Sequence, residues 1–272
     1  MTRLYSYNGA TKAVPAGSNT LVWGPSEIPG DGVVAFLVGG AGVGSELGPA
    51  DLKRFRVKAD GDVIVEYTAA QLASFVNAFS PAHPTFTLGT TVSFPIPLNL
   101  LDAPTMAGAD VCQFPMGKRP TVEIDTADVI GGGTVTLGWI QSTVTPRMQP
   151  LVTTRTMNIA AGPSTNNRFP LDQRGLVRGI CMDATGVDRL QVFLGGRPVL
   201  NLPGSGGDLI LAAQRLDGAP NAIGQDPFYF KPDWMLPASQ NGGSYLLLDV
   251  DGTWPGVAEE VSIFSVMKQG DG

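Results

Sequence analysis

Two stretches of the chain, 135 positions apart, spell nearly the same supersecondary unit. "LKRFRVKADGDVI" begins at Leu52 and "VDRLQVFLGGRPV" at Val187. Aligned without gaps, Arg54 matches Arg189, Phe55 matches Leu190, Val57 matches Val192 and Gly61 matches Gly196. Each copy reads as an alternating strand, a glycine turn and a second strand. A candidate short helix comes after each, "AAQLASFV" in the first half and "GGDLILAAQ" in the second. Upstream lie small-residue segments, Ala16-Gly17-Ser18 and Ala161-Gly162-Pro163-Ser164, and then apolar strands opening at Gly32 and Gly175. The halves close in "TVTLGWI" and "EVSIFSV". A period of half the chain calls for two like domains, here 1–148 and 149–272.

Strand-like runs recur between these landmarks: "NTLVWG", "GVVAFLVG", "DVIVEY", "TVSFPIPL", "RPTVEID", "TVTLGWIQ", "NNRFPL", "LVRGICMD", "SYLLLDV" and "EEVSIFSVM". Most are rich in β-branched or aromatic residues and bounded by Gly, Pro, Asn or Asp. The best helix begins at Thr68, where Thr68 and Gln71 form a capping box and Leu72, Phe75, Val76 and Phe79 recur at helical spacing. The 35 glycines and 22 prolines favour turns over long helices. The expected fold class is all-β, two tandem β-sandwiches of roughly eight strands each with short helices.

One motif argues for a different protein. "VVAFLVGGAGVGSELG", Val33 to Gly48, resembles the start of a dinucleotide-binding strand and phosphate loop. Its glycines (Gly39, Gly40, Gly42, Gly44, Gly48) give no G-x-G-x-x-G, since Ser45 occupies the third position after Gly40 and Gly42, and no G-K-[ST] comes after them. The next segment is an alternating strand, so the glycines join two strands.

Only 15% of residues are charged, and the net charge is −6. An acidic chain without a concentrated basic patch does not gather on nucleic acid. Lys53, Arg54, Arg56 and Lys58 read as a solvated strand face, and Lys118-Arg119 is the other basic group. So sparse a charge load suggests a surface covered by other subunits. Cys112 and Cys181 are too few for a disulfide framework and sit in apolar runs, as buried inert thiols do. Near the N-terminus no apolar signal-peptide core is read, and no run approaches the ~20 apolar residues of a membrane span.

The chemistry-bearing residues are few. His83, the single histidine, lies in the loop-like "SPAHPTF", and no nucleophile elbow accompanies it. Neither cysteine has a C-x-x-C partner for zinc. Carboxylates cluster at Glu123, Asp125 and Asp128 and again at Asp249 and Asp251. On strands, Glu123 shares a face with Asp125, and Asp249 with Asp251. These are exposed strand faces or candidate structural Ca²⁺ ligands. "GQDPFYFKPDWMLP" gathers Phe228, Tyr229, Phe230 and Trp234 in a loop-like context, either covering its own core or forming subunit contacts. "LNLLDAPTMAGADVCQFPMG" is a second long connection. No catalytic constellation and no cofactor site emerge.

Taken in order, "AGSNTLVW", "DLKRFRVKADGDVIVEYTAAQL", "AAGPSTNNRFPL" and "ATGVDRLQVFLGGRPVLNL" give the chain a family resemblance. It resembles the double jelly-roll major capsid proteins of the adenovirus, tectivirus and corticovirus lineage, the corticovirus type most of all in size. The resemblance implies two tandem eight-stranded jelly rolls, a homotrimer of six upright rolls and a pseudo-hexagonal capsomer. It also implies an icosahedral shell around an internal membrane and a DNA genome, with contacts to neighbouring capsomers and to minor capsid or penton proteins. Bound calcium is compatible with it. The location implied is the virion, assembled in the host cytoplasm. Arg3 and Lys12, unaccompanied by acidic residues in "MTRLYSYNGATK", would face anionic lipid weakly. The alternative is a tandem-sandwich carbohydrate-binding or phage spike protein, with Trp23, Trp139, Trp234 and Trp254 stacking on sugar rings. A jelly-roll glycosidase, third, needs a carboxylate pair in a cleft.

Overall fold

The computed structural model describes residues 4–17, 19–41, 47–48, 51–69, 71–72, 86–88, 91–98, 113–127, 132–141, 148–158, 160–170, 176–182, 187–203, 226–229, 236–237, 246–254 and 258–268. The chain divides into two compact units, the first Met1–Pro150 with Lys268–Gly272 and the second Leu151–Met267.

Unit 1 contains β1 (Leu4–Ala13), β2 (Thr20–Trp23), β3 (Val33–Ala41), β4 (Leu52–Ala59), β5 (Asp62–Thr68), β6 (Phe86–Leu88), β7 (Thr91–Pro97), β8 (Pro120–Thr126) and β9 (Thr134–Gln141). One sheet runs β1-β9-β3-β7-β6 and the other β5-β4-β8-β2. Unit 2 takes β10 (Met148–Asn158) from Leu151 on, β11 (Gly162–Pro170), β12 (Leu176–Met182), β13 (Val187–Leu194), β14 (Arg197–Pro203), β15 (Asp226–Tyr229), β16 (Leu236–Pro237), β17 (Leu246–Trp254) and β18 (Ala258–Lys268) up to Met267. Its sheets run β10-β18-β12-β15, with β16 also on β12, and β11-β17-β13-β14. Set aside the short β6 and β16, and both units have one topology. The first, eighth, third and sixth strands make one sheet; the second, seventh, fourth and fifth make the other. That order is the jelly roll.

The sequence repeat is a repeat of register. In the β4–β5 hairpin Arg54 faces Thr68, Phe55 faces Tyr67, Arg56 faces Glu66 and Val57 faces Val65, with an irregularity between Val57 and Lys58. In β13–β14 Arg189 faces Pro203, Leu190 faces Leu202, Gln191 faces Asn201 and Val192 faces Leu200, with the irregularity between Val192 and Phe193. Every pair is displaced by the same 135 positions, bulge included. The turns agree: Asp60 (φ 52°) and Gly61 (φ 98°) match Gly195 (φ 57°) and Gly196 (φ 80°). Two successive left-handed residues are the type I′ turn, whose twist suits a two-residue hairpin.

Alternation then builds the core. On β8, Pro120, Val122, Ile124 and Thr126 are buried while Thr121, Glu123 and Asp125 are half-buried. Phe55 and Val57 of β4, Val65 and Tyr67 of β5 and Leu21 and Trp23 of β2 join this inner layer. Across the sandwich the Phe36 ring of β3 meets the Phe55 ring with centroids 6.1 Å apart. Each such side chain contributes ~1.5–3 kcal/mol by leaving water. In unit 2, Leu190, Val192 and Val250 are fully buried.

The glycine-rich run begins as the end of strand β3, and Gly42 and Gly44 lie outside the described residues. Gly39 and Gly40 belong to β3, and a Cβ on Gly40 would lie 1.9 Å from the Thr134 carbonyl oxygen of β9. Gly48 N–H donates to Asp51 Oδ2 at 2.7 Å and turns the chain into β4. The next element is therefore a strand, where a phosphate loop needs a helix N-terminus. At the capping box, Thr68 N–H donates to Gln71 Oε1 at 2.9 Å, and Ala69, Gln71 and Leu72 are helical. Beyond Leu72 this helix, like the second candidate helix at 206–214, lies outside the described residues.

Gly40→Ala is expected to destabilise unit 1 by more than ~2 kcal/mol, the scale of overpacking against rigid backbone. Gly138→Ala, whose Cβ would meet only Leu37 at 3.6–3.8 Å, is expected to stay within ~1 kcal/mol. Paired denaturant melts check the contrast, and equal losses would contradict it.

Candidate functional site

The outer face of each β4-type hairpin sheet carries a ladder of charge. In unit 1 the alternation that buries Phe55 and Val57 turns Arg54, Arg56 and Lys58 outward. Arg54 Nη1 lies 3.2 Å from Glu66 of β5. On the other side Arg56 lies 3.3 Å from Glu123 and 2.7 Å from Asp125, and Lys58 lies 2.5 Å from Glu123, both carboxylates on β8. Thr20 of β2 donates to Asp125 Oδ1 at 2.6 Å. The ladder thus crosses all four strands. Its Arg56, Lys58, Glu123 and Asp125 side chains are only 15–23% exposed. The basic strand face lies on the outer side of the sheet, with Arg54 41% exposed, and its Arg56 and Lys58 are drawn into an ion-pair network.

Unit 2 repeats the ladder. Arg189 of β13 pairs with Asp251 of β17 at 2.5 Å. Arg168 of β11 lies 3.6 Å from Asp249, and Gln191 donates to Asn201 of β14 at 3.1 Å. Asp249 and Asp251 stand opposite β13 as Glu123 and Asp125 stand opposite β4. The two carboxylate clusters are thus one structural position occurring twice. All four carboxylates have cationic partners. Among the described residues no three His, Cys, Asp or Glu side chains come together as a metal site. Asp128 and His83 lie outside the described residues, as do Cys112, Phe230 and Trp234.

No family model matches the chain, and no curated protein matches its sequence. Solved structures do match. The major capsid protein of bacteriophage PM2 aligns over 99% of both chains with a TM-score of 0.71 and 16% identity. PBCV-1 VP54, fitted into a reconstruction of the virophage Sputnik, aligns over 100% of this chain and 97% of that one, with a TM-score of 0.56 and 10% identity. A quasi-atomic PBCV-1 capsid chain aligns over 98% and 94%, with a TM-score of 0.57 and 10% identity. The chain has the double jelly-roll fold of these proteins.

Within the first jelly roll, the N-terminal segment is strand β1, paired with β9 from Leu4 to Ala13. Lys12 does not project freely. Its ammonium lies 3.1 Å from Glu27, donates to the Val22 carbonyl and sits 5.2 Å from the Trp23 ring centroid. Arg3 lies outside the described residues. Of the tryptophans that a sugar-binding protein would expose, Trp23 is fully buried, donating to the Ala10 carbonyl at 2.7 Å, and Trp139 is 7% exposed. In the second roll, the aromatic segment read as a loop is partly strand. Phe228 and Tyr229 belong to β15, opposite Ile180 and Gly179 of β12, and Leu236–Pro237 pairs with the same strand as β16. Cys181 lies on β12 opposite Pro227.

Two carboxylates are held acidic. The Gly24 backbone N–H, followed by Lys12, holds Glu27 below the usual glutamate range. At the β4–β5 turn the Arg119 backbone N–H, 2.9 Å from Asp60, holds that carboxyl low, with Lys118 adding to it. A depressed carboxylate contributes stability above its unfolded pKa and loses it as pH falls through the folded value. The midpoint gap between wild type and Glu27→Gln is therefore expected to be open above the usual value of 4.5 and to close in more acid solution. Thermal melts from pH 7 downward read it, and a gap independent of pH would contradict the assignment.

Proposed function

We propose that this chain is a viral major capsid protein whose role is structural rather than catalytic. The observation that carries the reading is end-to-end correspondence with the fold of the PM2 major capsid protein, 99% of each chain. In this reading three copies associate, and six rolls form a pseudo-hexagonal capsomer. Capsomers tile an icosahedral shell with one another and with minor capsid or penton proteins. An internal membrane and a DNA genome lie beneath, and the virion assembles in the host cytoplasm. Membrane contact by the N-terminal residues would fall to Arg3, because Lys12 is engaged with Glu27. The composition supports the reading, since 15% charged residues suit large apolar lateral interfaces of the obligate kind.

Light scattering of the native protein tests it. The expected mass is three times 28.5 kDa, growing into shells or sheets with concentration. A monomer at every concentration would remove the capsomer reading. Parallel samples with Ca²⁺ and with a chelator separate metal-driven growth from growth driven by the protein surface alone.

A further inference from the structure

The central carboxylate of each ladder has two flanking strands, and the two units differ in which flank supplies the cation. Glu123 stands between Arg56 of β4 and Val22 of β2. Asp249 stands between Gln191 of β13 and Arg168 of β11. The shared hairpin register carries Arg56 onto Gln191 and Lys58 onto Phe193. An arginine beside an apolar residue in unit 1 thus becomes an amide beside an arginine in unit 2, with the arginine on the opposite side.

The two solutions are unequal. Glu123 has both oxygens engaged, Oε2 by Arg56 and Oε1 by Lys58. Asp249 is 3% exposed and, among the described residues, its cation is Arg168, 3.6 Å from Oδ2 and itself 62% exposed. Its Oδ1 is buried without a hydrogen-bond partner among the described residues. A buried carboxylate depends on its counter-charge far more than a surface one does. Gln191 lies directly across the strand pair, yet its amide is turned to Asn201.

We propose that this carboxylate is the fixed member of the ladder, that its cation is interchangeable between the two flanking strands, and that position 191 is an open cation position beside Asp249. Arg168 is then a positioning residue. It holds the buried Asp249 and ties edge strand β11 to β17. What matters is a positive charge within reach of the carboxylate, not the strand that carries it.

Thermal unfolding of the full chain tests the exchange. Arg168→Val is expected to lower the midpoint by roughly 5–15 °C, the scale of an uncompensated buried charge in a chain of this size. Adding Gln191→Arg rewrites unit 2 in the pattern of unit 1 and should restore at least half of the loss. Adding Gln191→Met, similar in size but uncharged, should restore none. The benefit of Gln191→Arg should disappear when Asp249→Asn is added. If Arg168→Val yields no folded protein, recovery of soluble protein by Gln191→Arg but not Gln191→Met carries the same meaning. An unchanged midpoint in Arg168→Val, or equal outcomes for the arginine and methionine additions, would overturn the proposal.

Discussion

The register of the β4–β5 hairpin governs much of unit 1. Side chains alternate with a period of two, so a slip of one residue would exchange Phe55 and Val57 for Arg54 and Arg56 on the inner face. The Phe36–Phe55 contact would be lost, and the carboxylates of β8 would face apolar side chains. The type I′ turn at Asp60-Gly61 and the irregularity after Val57 pin that register. The Asp60 carboxylate adds a tether, accepting from Arg119 N–H just before β8. Turn, bulge and tether therefore fix one alignment in which both faces of the sheet are satisfied. Unit 2 keeps the same turn geometry and bulge at the matching positions.

That redundancy explains what could be read from residues alone. The hairpins were legible because local turn chemistry and alternation sit within one short stretch. The apolar strands β3, β9 and β12 were legible by composition. Strands β1 and β10 were not, and they are the same strand of the roll in each unit. "LYSYNGATKA" and "MQPLVTTRTMN" lack a consistent apolar face and are strands through their pairing with neighbours. The β15 segment was hidden by its prolines, which read as loop, although Asp226–Tyr229 pairs with β12.

The candidate site was half legible for a related reason. Alternation placed Glu123 with Asp125, and Asp249 with Asp251, on common faces. It could not reveal their partners, because Arg56 and Asp125 are 69 positions apart and meet only when β4 lies beside β8. Clustered acids without visible cations suggest a metal. Once the sheet forms, the same acids are an ion-pair network. Lys12 teaches the same lesson with the sign reversed. In the sequence it is a basic residue in a segment without acids, and in the fold Glu27, from the turn that follows β2, pairs with it.

Internal pairing also bears on what a charge-poor chain can offer its neighbours. Where Arg54, Arg56, Lys58, Glu66, Glu123 and Asp125 neutralise one another within the sheet, little of that charge is left to steer association. In the assembly proposed above, apolar burial and shape would then do more of the work. The two rolls nevertheless remain distinguishable at the position where their ladders differ. Unit 1 presents Val22, 43% exposed, where unit 2 presents Arg168, 62% exposed. Equivalent sheet positions of the two units thus carry an apolar residue in one and a cationic residue in the other. Rolls alike in backbone would then be told apart by side chains. Discrimination between otherwise like surfaces needs such a difference, because identical positions would bind any partner equally well.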